Sequence, residues 1–212
     1  MPSILPLGDS AITVSFGEGI SEELSGRVVQ QAARICAVAI TGVTDVVPAY
    51  AALAVSYDPL AISFADLSDR LRAIFEESAG RQETGIESVV HTIPVTYDGE
   101  DLAEVTHRTG LTTDDVIRIH SEREYRVYVM GFAPGFAYLG TLDERLALPR
   151  RDSPRKRVPP GSVAIAERQT GIYPSPTPGG WHLIGTTSEK LFDPTRENPS
   201  LLKVGDRVKF HQ

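Results

Sequence analysis

The segment from residue 130 to residue 186 concentrates the proline and glycine of this chain, and it restricts the possible folds more than any other segment. The 212 residues contain 15 prolines and 18 glycines, and eight of these prolines and seven of these glycines lie between residues 131 and 180. Proline fixes φ and glycine permits positive φ, so together they specify particular loop shapes. Aromatic, arginine and histidine residues are mixed among them, which is typical of packed, ligand-facing loops.

The composition is ordinary for a globular chain, but the charge is unevenly distributed. Hydrophobic residues make up 41% and charged residues 23%, which suits one large domain or two small ones. Residues 1–92 hold 5 Lys or Arg and 12 Asp or Glu and so carry the whole net charge of −7, whereas residues 93–212 hold 16 of each. The acidic first part argues against general nucleic-acid binding there.

The sequence shows no pattern of membrane insertion or export. No apolar run is long enough to span a bilayer, and the first eight residues lack the basic and apolar regions of a signal peptide. The single cysteine, Cys36, excludes an internal disulfide, and its place within a predicted helix predicts a buried thiol. We therefore expect a cytoplasmic protein.

Residues 1–92 have the pattern of a ferredoxin-like domain, which we expect to be a scaffold or docking domain. Helical and alternating periodicities predict the element order β-α-β-β-α-β, the split βαβ arrangement. The predicted strands are 11–16, 43–47, 51–57 and 89–95, and the predicted helices are 21–40 and 64–78. Residues 79–88 are predicted to form a loop or hinge.

Residues 93–212 have the pattern of a small β-barrel domain that carries the ligand loops. The predicted helices are 101–109 and 112–120, and the predicted strands are 124–130, 162–166, 181–185 and 206–211. Many short strands separated by Gly/Pro corners indicate a closed or half-closed barrel. The fold class predicted for the whole chain is therefore α+β.

The first loop motif is Gly131-Phe-Ala-Pro-Gly-Phe136, in which two glycines flank Pro134 between aromatic residues. Gly131 and Gly135 allow the backbone to approach a ligand closely, and exposed amides there can hold an anion. The alternative is a tight corner packed by Phe132 and Phe136. The motif is not a Walker loop, because the Gly-Lys-Ser/Thr element is missing.

A second motif places five basic residues within eight positions, among prolines that stiffen the segment. These residues are Arg150, Arg151, Arg155, Lys156 and Arg157. Arginine pairs bidentately with carboxylate or phosphate, so the motif predicts binding of an anionic substrate, a nucleotide or a partner surface. A solvated or salt-bridged basic loop is the alternative.

Polar groups and amphipathic rings follow this basic segment. Gln169 and Thr170 supply an amide and a hydroxyl, and Tyr173 and Trp181 supply rings that usually find polar partners. His182 is a candidate general acid or base, although a lone histidine beside a tryptophan in a strand is more often structural. No metal-ligand spacing or Ser/His/Asp set is visible, so no metal site is predicted. The catalytic residues stay unassigned, with His182, Gln169 and Thr170 as candidates.

These motifs, in this order and spacing, resemble those of the 5-oxoprolinase B-subunit family. The family is also called allophanate hydrolase subunit 1, has a carboxyltransferase subdomain C/D architecture, and includes a Bacillus sporulation-kinase inhibitor. The resemblance rests on residues 131–140, 149–157, 158–162, 169–174 and 178–185, and it extends to 93–97, 191–194 and 202–206.

The resemblance implies a cyclophilin-like β-barrel and a multi-subunit enzyme. The partners would be a carboxyltransferase-like subunit and a further subunit, and the complex would open the lactam of 5-oxoproline to glutamate with ATP hydrolysis. ATP with Mg²⁺ would bind in the assembled complex, on this or another subunit, and this chain is expected to be inactive alone. Arg155 and Arg157 would bind the substrate carboxylate and phosphate, and Gln169 and Thr170 would orient the amide.

Two other functions remain as alternatives. The chain could be a binding module that inhibits a sensor histidine kinase, which requires no chemistry of its own. It could also be a subunit of an allophanate or urea-type amidohydrolase. No nucleic-acid or membrane partner is expected.

Overall fold

The computed structural model describes residues 2–78 and 88–212. The chain divides into two compact units, Met1–Glu87 and Ser88–Gln212. The predicted hinge at 79–88 lies, except for its last residue, outside the described residues. The domain boundary predicted after residue 92 falls inside a strand of the second unit.

The first unit is a four-stranded antiparallel sheet with two helices. Its elements are β1 (Ser3–Pro6), β2 (Ala11–Ser15), α1 (Glu22–Val38), β3 (Val43–Ala49), β4 (Ala52–Tyr57) and α2 (Phe64–Ser78). The strands lie in the order β1-β2-β4-β3. The Ser21 side chain caps α1 by accepting from the Leu24 backbone N–H at 3.4 Å. Alternate residues of the central strands β2 and β4 are buried against both helices, which forms one hydrophobic core.

One strand of the predicted βαββαβ arrangement is assigned wrongly. The predicted strand 89–95 is β5 (Val90–Pro94), and it pairs in parallel with the last strand of the second unit. The edge position next to β2 is occupied instead by β1, which pairs Ile4 with Val14. The sequence did not predict β1 because this strand is short, ends at Pro6 and lacks a clear alternating pattern.

The second unit contains two helices and nine strands among its described residues. Its elements after β5 are α3 (Leu102–Thr109), α4 (Thr113–Ser121), β6 (Glu124–Met130), β7 (Ala137–Gly140), β8 (Arg155–Val158), β9 (Ser162–Ala166), β10 (Gln169–Ile172), β11 (Thr177–Gly179), β12 (His182–Thr186) and β13 (Arg207–His211). The predicted helices and strands of this part of the chain are all present, and β7, β8, β10 and β11 are additional.

Seven of these strands form a curled sheet in the order β12-β9-β10-β7-β6-β13-β5. The two edge strands approach each other, because Thr96, just beyond β5, bridges Thr186 at the end of β12. The Thr96 and Thr186 amides each donate to the carbonyl of the other residue, at 2.9 and 2.7 Å. The sheet is therefore a half-barrel whose edges are joined at one point, and the chain as a whole is mixed α/β.

Each face of the curled sheet buries a separate core. The inner face packs against α3 and α4, which contribute Val105 and Val116, both fully buried. The other face is covered by a separate two-stranded antiparallel sheet of β8 and β11 and buries Phe136, Val158, Tyr173 and Trp181. Because neighbouring residues of a strand point to opposite faces, this division determines which predicted site residues can meet.

Two further findings concern the predictions from composition. The prediction that Cys36 is buried is wrong, because the buried stripe of α1 follows Val28, Ala32 and Ile35 and leaves Cys36 exposed, about 100° further around the helix. None of the helices within residues 2–78 and 88–212 combines the length and apolar character needed to cross a bilayer.

Candidate functional site

The loop at residues 131–136 is a closed, internally bonded turn. The Gly131 amide donates to the Phe136 carbonyl at 3.1 Å, the Ala133 amide to Gly131 at 2.9 Å, and the Phe136 amide to Ala133 at 2.9 Å. Gly135 has a φ of +83°, and a Cβ there would lie 2.6 Å from the Cβ of Phe192, so only glycine fits. These three amides are therefore not available to an anion.

Phe132 stands at the tip of this loop with an unusual backbone conformation. Its φ is +70°, which is uncommon for a bulky residue, and its side chain is 60% exposed. The ring contacts Phe136 and Tyr173 edge to face, with centroids 5.4 and 6.4 Å apart. Part of the ring thus contacts the protein, and the rest is exposed to solvent.

Beneath Phe132 lies a packed aromatic cluster. Phe136 contacts Tyr138 at 4.9 Å, Tyr173 at 5.4 Å and Trp181 at 5.7 Å between ring centroids. Phe136, Tyr173 and Trp181 are at most 5% exposed, while Tyr138 is partly exposed. Burial raises the pKa of the Tyr173 phenol, whose hydroxyl is hydrogen-bonded to the Trp181 backbone. The sequence-predicted rings do meet, but mainly as a packed corner.

Arg155 is held in an ion-pair network around Asp101. Its Nε lies 2.6 Å from a Glu100 carboxylate oxygen, and its Nη2 donates to Asp101 Oδ1 at 2.6 Å. Arg151 donates to the same Asp101 oxygen at 2.6 Å and to Glu104 at 3.1 Å. The second Asp101 oxygen accepts from the Leu183 backbone N–H at 2.7 Å, which ties the basic segment to the first residues of β12. Three carboxylates therefore balance two arginines.

Arg157 is an arginine of this strand that is available to a ligand. It lies two residues after Arg155 on β8, is exposed, and forms no ion pair with the described part of the chain. Strand alternation places Arg155 and Arg157 on one face of β8, whereas Val158 on the other face belongs to the aromatic cluster. Arg157 therefore lies beside the cluster and not within it.

Gln169 and Thr170 point to opposite faces of β10. Gln169 is 8% exposed and lies opposite Gly140 in the sheet. Thr170 is fully buried, and its hydroxyl donates to the Ala164 carbonyl at 3.0 Å. The structure therefore does not bring these two residues to a shared substrate amide, since consecutive strand residues alternate in direction.

Thr170 ends a buried hydrogen-bonded chain that starts at Tyr97. The Tyr97 hydroxyl lies 2.8 Å from His120 Nδ1, and His120 Nε2 lies 2.9 Å from the Thr170 hydroxyl. Since that hydroxyl uses its only proton on the Ala164 carbonyl, it must accept from Nε2–H, and Nδ1 must accept from Tyr97. Burial lowers the pKa of His120 to about 3 and raises that of Tyr97, so both groups are neutral near pH 7.

His182 is fully buried near the junction of β12 and the basic segment. Its Nε2 lies 2.9 Å from the Pro149 carbonyl and must donate to it, so Nδ1 is an acceptor. Nδ1 is buried and has no hydrogen-bond donor within the described residues. The position favours a structural role in holding Pro149 over a role at an open site.

Only some of the predicted site residues are accessible to a ligand. Gly131, Phe132, Pro134 and Arg157 are at least partly exposed, whereas Gly135, Phe136, Gln169, Thr170, Tyr173, Trp181 and His182 are buried. Within residues 2–78 and 88–212 no group of three His, Cys, Asp or Glu side chains is placed to hold a metal ion. Clefts of about 580 and 330 Å³ lie in the first unit.

The sequence did not predict two groups of residues that the structure places in this region. Asp101 appeared only as the first residue of a predicted helix, and its arginine partners lie 50 and 54 positions away. Tyr97 and His120 are separated by 23 positions and lie on a loop and a helix. No local pattern links such residues, although an aspartate that does not use its side chain as a helix cap must find another partner.

Known proteins are similar to this chain over nearly its whole length. The family model of the carboxyltransferase domain, subdomain C and D, matches residues 2–202. The B subunit of 5-oxoprolinase from Bacillus subtilis (strain 168) is 43% identical over 96% of this chain and 90% of its own length.

Two solved structures share the fold and place it within longer chains. The crystal structure of TTHA0988 superposes with a TM-score of 0.84 at 43% identity, and the match covers 95% of this chain but 39% of that chain. The Kluyveromyces lactis urea amidolyase superposes with a TM-score of 0.80 at 18% identity, over 99% of this chain and 15% of that chain. The chain thus spans less than half the length of these two proteins.

Proposed function

Because this chain belongs to the carboxyltransferase domain, subdomain C and D family, we propose that it is a subunit of an ATP-dependent 5-oxoprolinase. The complex would open the lactam of 5-oxoproline to glutamate together with a carboxyltransferase-like subunit and a further subunit. The observation that carries the proposal is the 43% identity, over 96% of the chain, to a protein named as the B subunit of 5-oxoprolinase. The single cysteine suits our further proposal that the complex works in the cytoplasm.

The finer fold assignment is part of this proposal. We propose that the half-barrel, with its edges joined at Thr96 and Thr186, is of the cyclophilin-like type. The first unit resembles a ferredoxin-like domain in having four antiparallel strands and two helices, with β1 as its additional edge strand. Its lack of catalytic spacing supports a scaffold or docking role.

We propose that ATP and its Mg²⁺ bind in the assembled complex and on another subunit, because groups of this chain that could hold phosphate already have partners. Three amides of the 131–136 loop already donate to carbonyl groups, and Arg155 is neutralised by Glu100 and Asp101. ATP supplies the phosphoryl group that makes the unreactive lactam carbonyl a better electrophile. This chain would contribute one wall of a composite pocket.

Arg157 is the residue of this wall that we propose binds the anionic substrate. It is exposed and has no carboxylate partner in the described part of the chain, so its guanidinium is free to pair bidentately with a carboxylate. Arg155 has a different role in this proposal, because Asp101 and Glu100 already pair with its Nη2 and its Nε. It would hold β8 in place so that Arg157 faces the partner.

The test is 5-oxoproline-dependent ATP hydrolysis, with glutamate formation as a second readout. We expect activity only when this chain is mixed with its carboxyltransferase-like and further subunits, and no activity from this chain alone. Mixtures without 5-oxoproline, and mixtures with allophanate in its place, are the controls. An assembled complex that acts on allophanate and not on 5-oxoproline would replace the proposed substrate, and one that acts on neither would refute the proposal.

A further inference from the structure

Two arginines on one face of β8 differ in how far their charge is balanced. Arg155 and Arg157 lie two residues apart on this face, which is about 7 Å along an extended strand. Arg155 pairs with the carboxylates of Glu100 and Asp101. Arg157 is exposed and forms no ion pair with the described part of the chain. A ligand on this face therefore meets one uncompensated positive charge beside a guanidinium group that is already neutralised.

Arg155 nevertheless keeps one hydrogen-bond donor for a ligand. Glu100 lies 2.6 Å from its Nε and Asp101 lies 2.6 Å from its Nη2, but its Nη1 is buried and has no acceptor within the described residues. A buried donor without an acceptor costs free energy, so an acceptor supplied by a ligand is favoured at this position. The Arg155 side chain as a whole is 17% exposed and is therefore not sealed inside the core.

The charges around Arg155 decide which kind of acceptor suits this donor. The carboxylates of Glu100, Asp101 and Glu104 outnumber the two arginines that they pair with. A further carboxylate would be repelled by these groups, whereas a neutral carbonyl oxygen would not. Glu100 is 61% exposed and Asp101 only 4%, so Glu100 can set this balance without being part of the buried ion pair.

The proposed reaction changes the charge at one end of the substrate. Net of ATP hydrolysis, one water is added to the lactam and the bond between the carbonyl carbon and the nitrogen breaks. The carbon gains an oxygen and becomes a carboxylate, and the nitrogen gains two protons and becomes an ammonium group. A surface that accepts a neutral carbonyl and repels a carboxylate at this end thus distinguishes the substrate from the product.

We propose that Glu100 determines the specificity of this surface for the lactam over its product. The substrate carboxylate pairs with Arg157, and the lactam carbonyl accepts from Arg155 Nη1. Glu100 repels the second carboxylate that the reaction creates and so favours the release of glutamate. This inference rests on the proposed function and on the role of Arg157 in it.

The test is product inhibition of the assembled complex, measured as the inhibition constant of glutamate in 5-oxoproline-dependent ATP hydrolysis. Glu100→Gln removes the negative charge and keeps the size of the side chain, so this constant should fall roughly fivefold. The KM for 5-oxoproline should change by less than about twofold, because the lactam carbonyl is neutral. Glu100→Ala is a second neutral variant and should lower the inhibition constant similarly, whereas Glu100→Asp retains the charge and should stay close to the wild type.

Glu122→Gln is the matched control, because Glu122 is 62% exposed and pairs with Arg118 at the end of α4. It should leave both constants unchanged. Thermal unfolding of the free chains should give similar midpoints for all these variants, since an exposed ion pair contributes little to stability.

Two results separate this inference from the proposed function. An inhibition constant that stays at the wild-type value in both neutral Glu100 variants, or that falls by the same factor as the KM, would overturn the role of Glu100 and leave the proposed function standing. A wild-type complex that assembles and does not act on 5-oxoproline would overturn the proposed function, and this inference with it.

Discussion

Arg155 forms an ion pair with Asp101, in which Nη2 donates to Oδ1 at 2.6 Å and both side chains are largely buried. The other Asp101 oxygen accepts from the Leu183 backbone, so one carboxylate connects the basic segment, the start of α3 and β12. The basic residues of this segment therefore have two different structural roles. Its buried arginine organises the loops, and its exposed cations face outward.

Replacing Asp101 by Asn should strongly destabilise the second unit. Arg151 and Arg155 would lose the carboxylate they share, and removing one partner of a buried ion pair costs about 3–5 kcal/mol. Urea unfolding of the free chain measures this loss. The matched control is Asp152→Asn, at an exposed aspartate of the same segment, which should change the free energy of unfolding by less than about 0.5 kcal/mol. Equal effects of the two variants would show that Asp101 does not organise the loops.

Arg155→Ala and Arg157→Ala should separate stability from activity. Arg155→Ala should lower the midpoint of thermal unfolding, because it leaves Glu100 and the buried Asp101 without this partner. Arg157→Ala should leave the midpoint unchanged and raise the KM for 5-oxoproline of the assembled complex roughly tenfold, since a charge-assisted hydrogen bond contributes about 1.5–3 kcal/mol. Arg157→Lys should restore part of the affinity. An unchanged KM in Arg157→Ala would remove this residue from substrate binding.

His120 should make the stability of the chain depend on pH between about 6.5 and 3. Its pKa is lowered by burial to about 3 in the folded chain, so below pH 6.5 the unfolded state binds the extra proton and stability falls with falling pH. The slope is about 1.4 kcal/mol per pH unit, so lowering the pH from 6.5 to 4.5 costs about 2–3 kcal/mol from this group.

The His120→Gln variant isolates this contribution, because the amide keeps hydrogen-bonding capacity and does not titrate. Denaturant unfolding at pH 6.5 and 4.5 should show a smaller loss of stability in His120→Gln than in the wild-type chain. His107→Gln, at an exposed histidine of α3, is the control and should behave like the wild type. Identical pH slopes in all three proteins would contradict a neutral buried His120.

Two glycines should respond oppositely to replacement by alanine. A Cβ at Gly99 would overlap the Leu183 carbonyl oxygen and adjacent backbone atoms of β12, so Gly99→Ala should cost at least about 2 kcal/mol. A Cβ at Gly26, inside α1, meets nothing within 4 Å, so Gly26→Ala should stabilise by about 0.5–1 kcal/mol. The free energies of unfolding of both variants check this, and a stable Gly99→Ala protein would contradict the close approach of this loop to β12.

Much of the local structure followed from periodicity. The helix predicted at 64–78 is α2 with the same bounds, and the strand predicted at 124–130 is β6. The strands that were missed, such as β8 and β11, are only three or four residues long, so they carry too little alternation to detect. The strand at 89–95 was found but assigned to the wrong sheet, because pairing partners distant in sequence leave no local pattern.

The candidate site was predictable only as a set of motifs. Phe136, Tyr173 and Trp181 do come together, as the ring-rich loops predicted. Gln169 and Thr170 lie on opposite faces of β10, because strand alternation places the Thr170 side chain on the inner face, where it contacts His120. Which arginine is neutralised and which is exposed depends on the carboxylates at positions 100 and 101, which lie far from the basic segment in sequence.

By itself, the amino-acid sequence determined the helices, most of the longer strands, the rigid Gly/Pro loops and the family to which the chain belongs, because these depend on residues close together in the chain. Only the tertiary structure decided the partner of β5, the burial of Arg155 against Asp101, the buried chain from Tyr97 through His120 to Thr170, and the exposure of Phe132. Each of these depends on which distant segments the curled sheet brings into contact, and on which face of a strand each side chain lies.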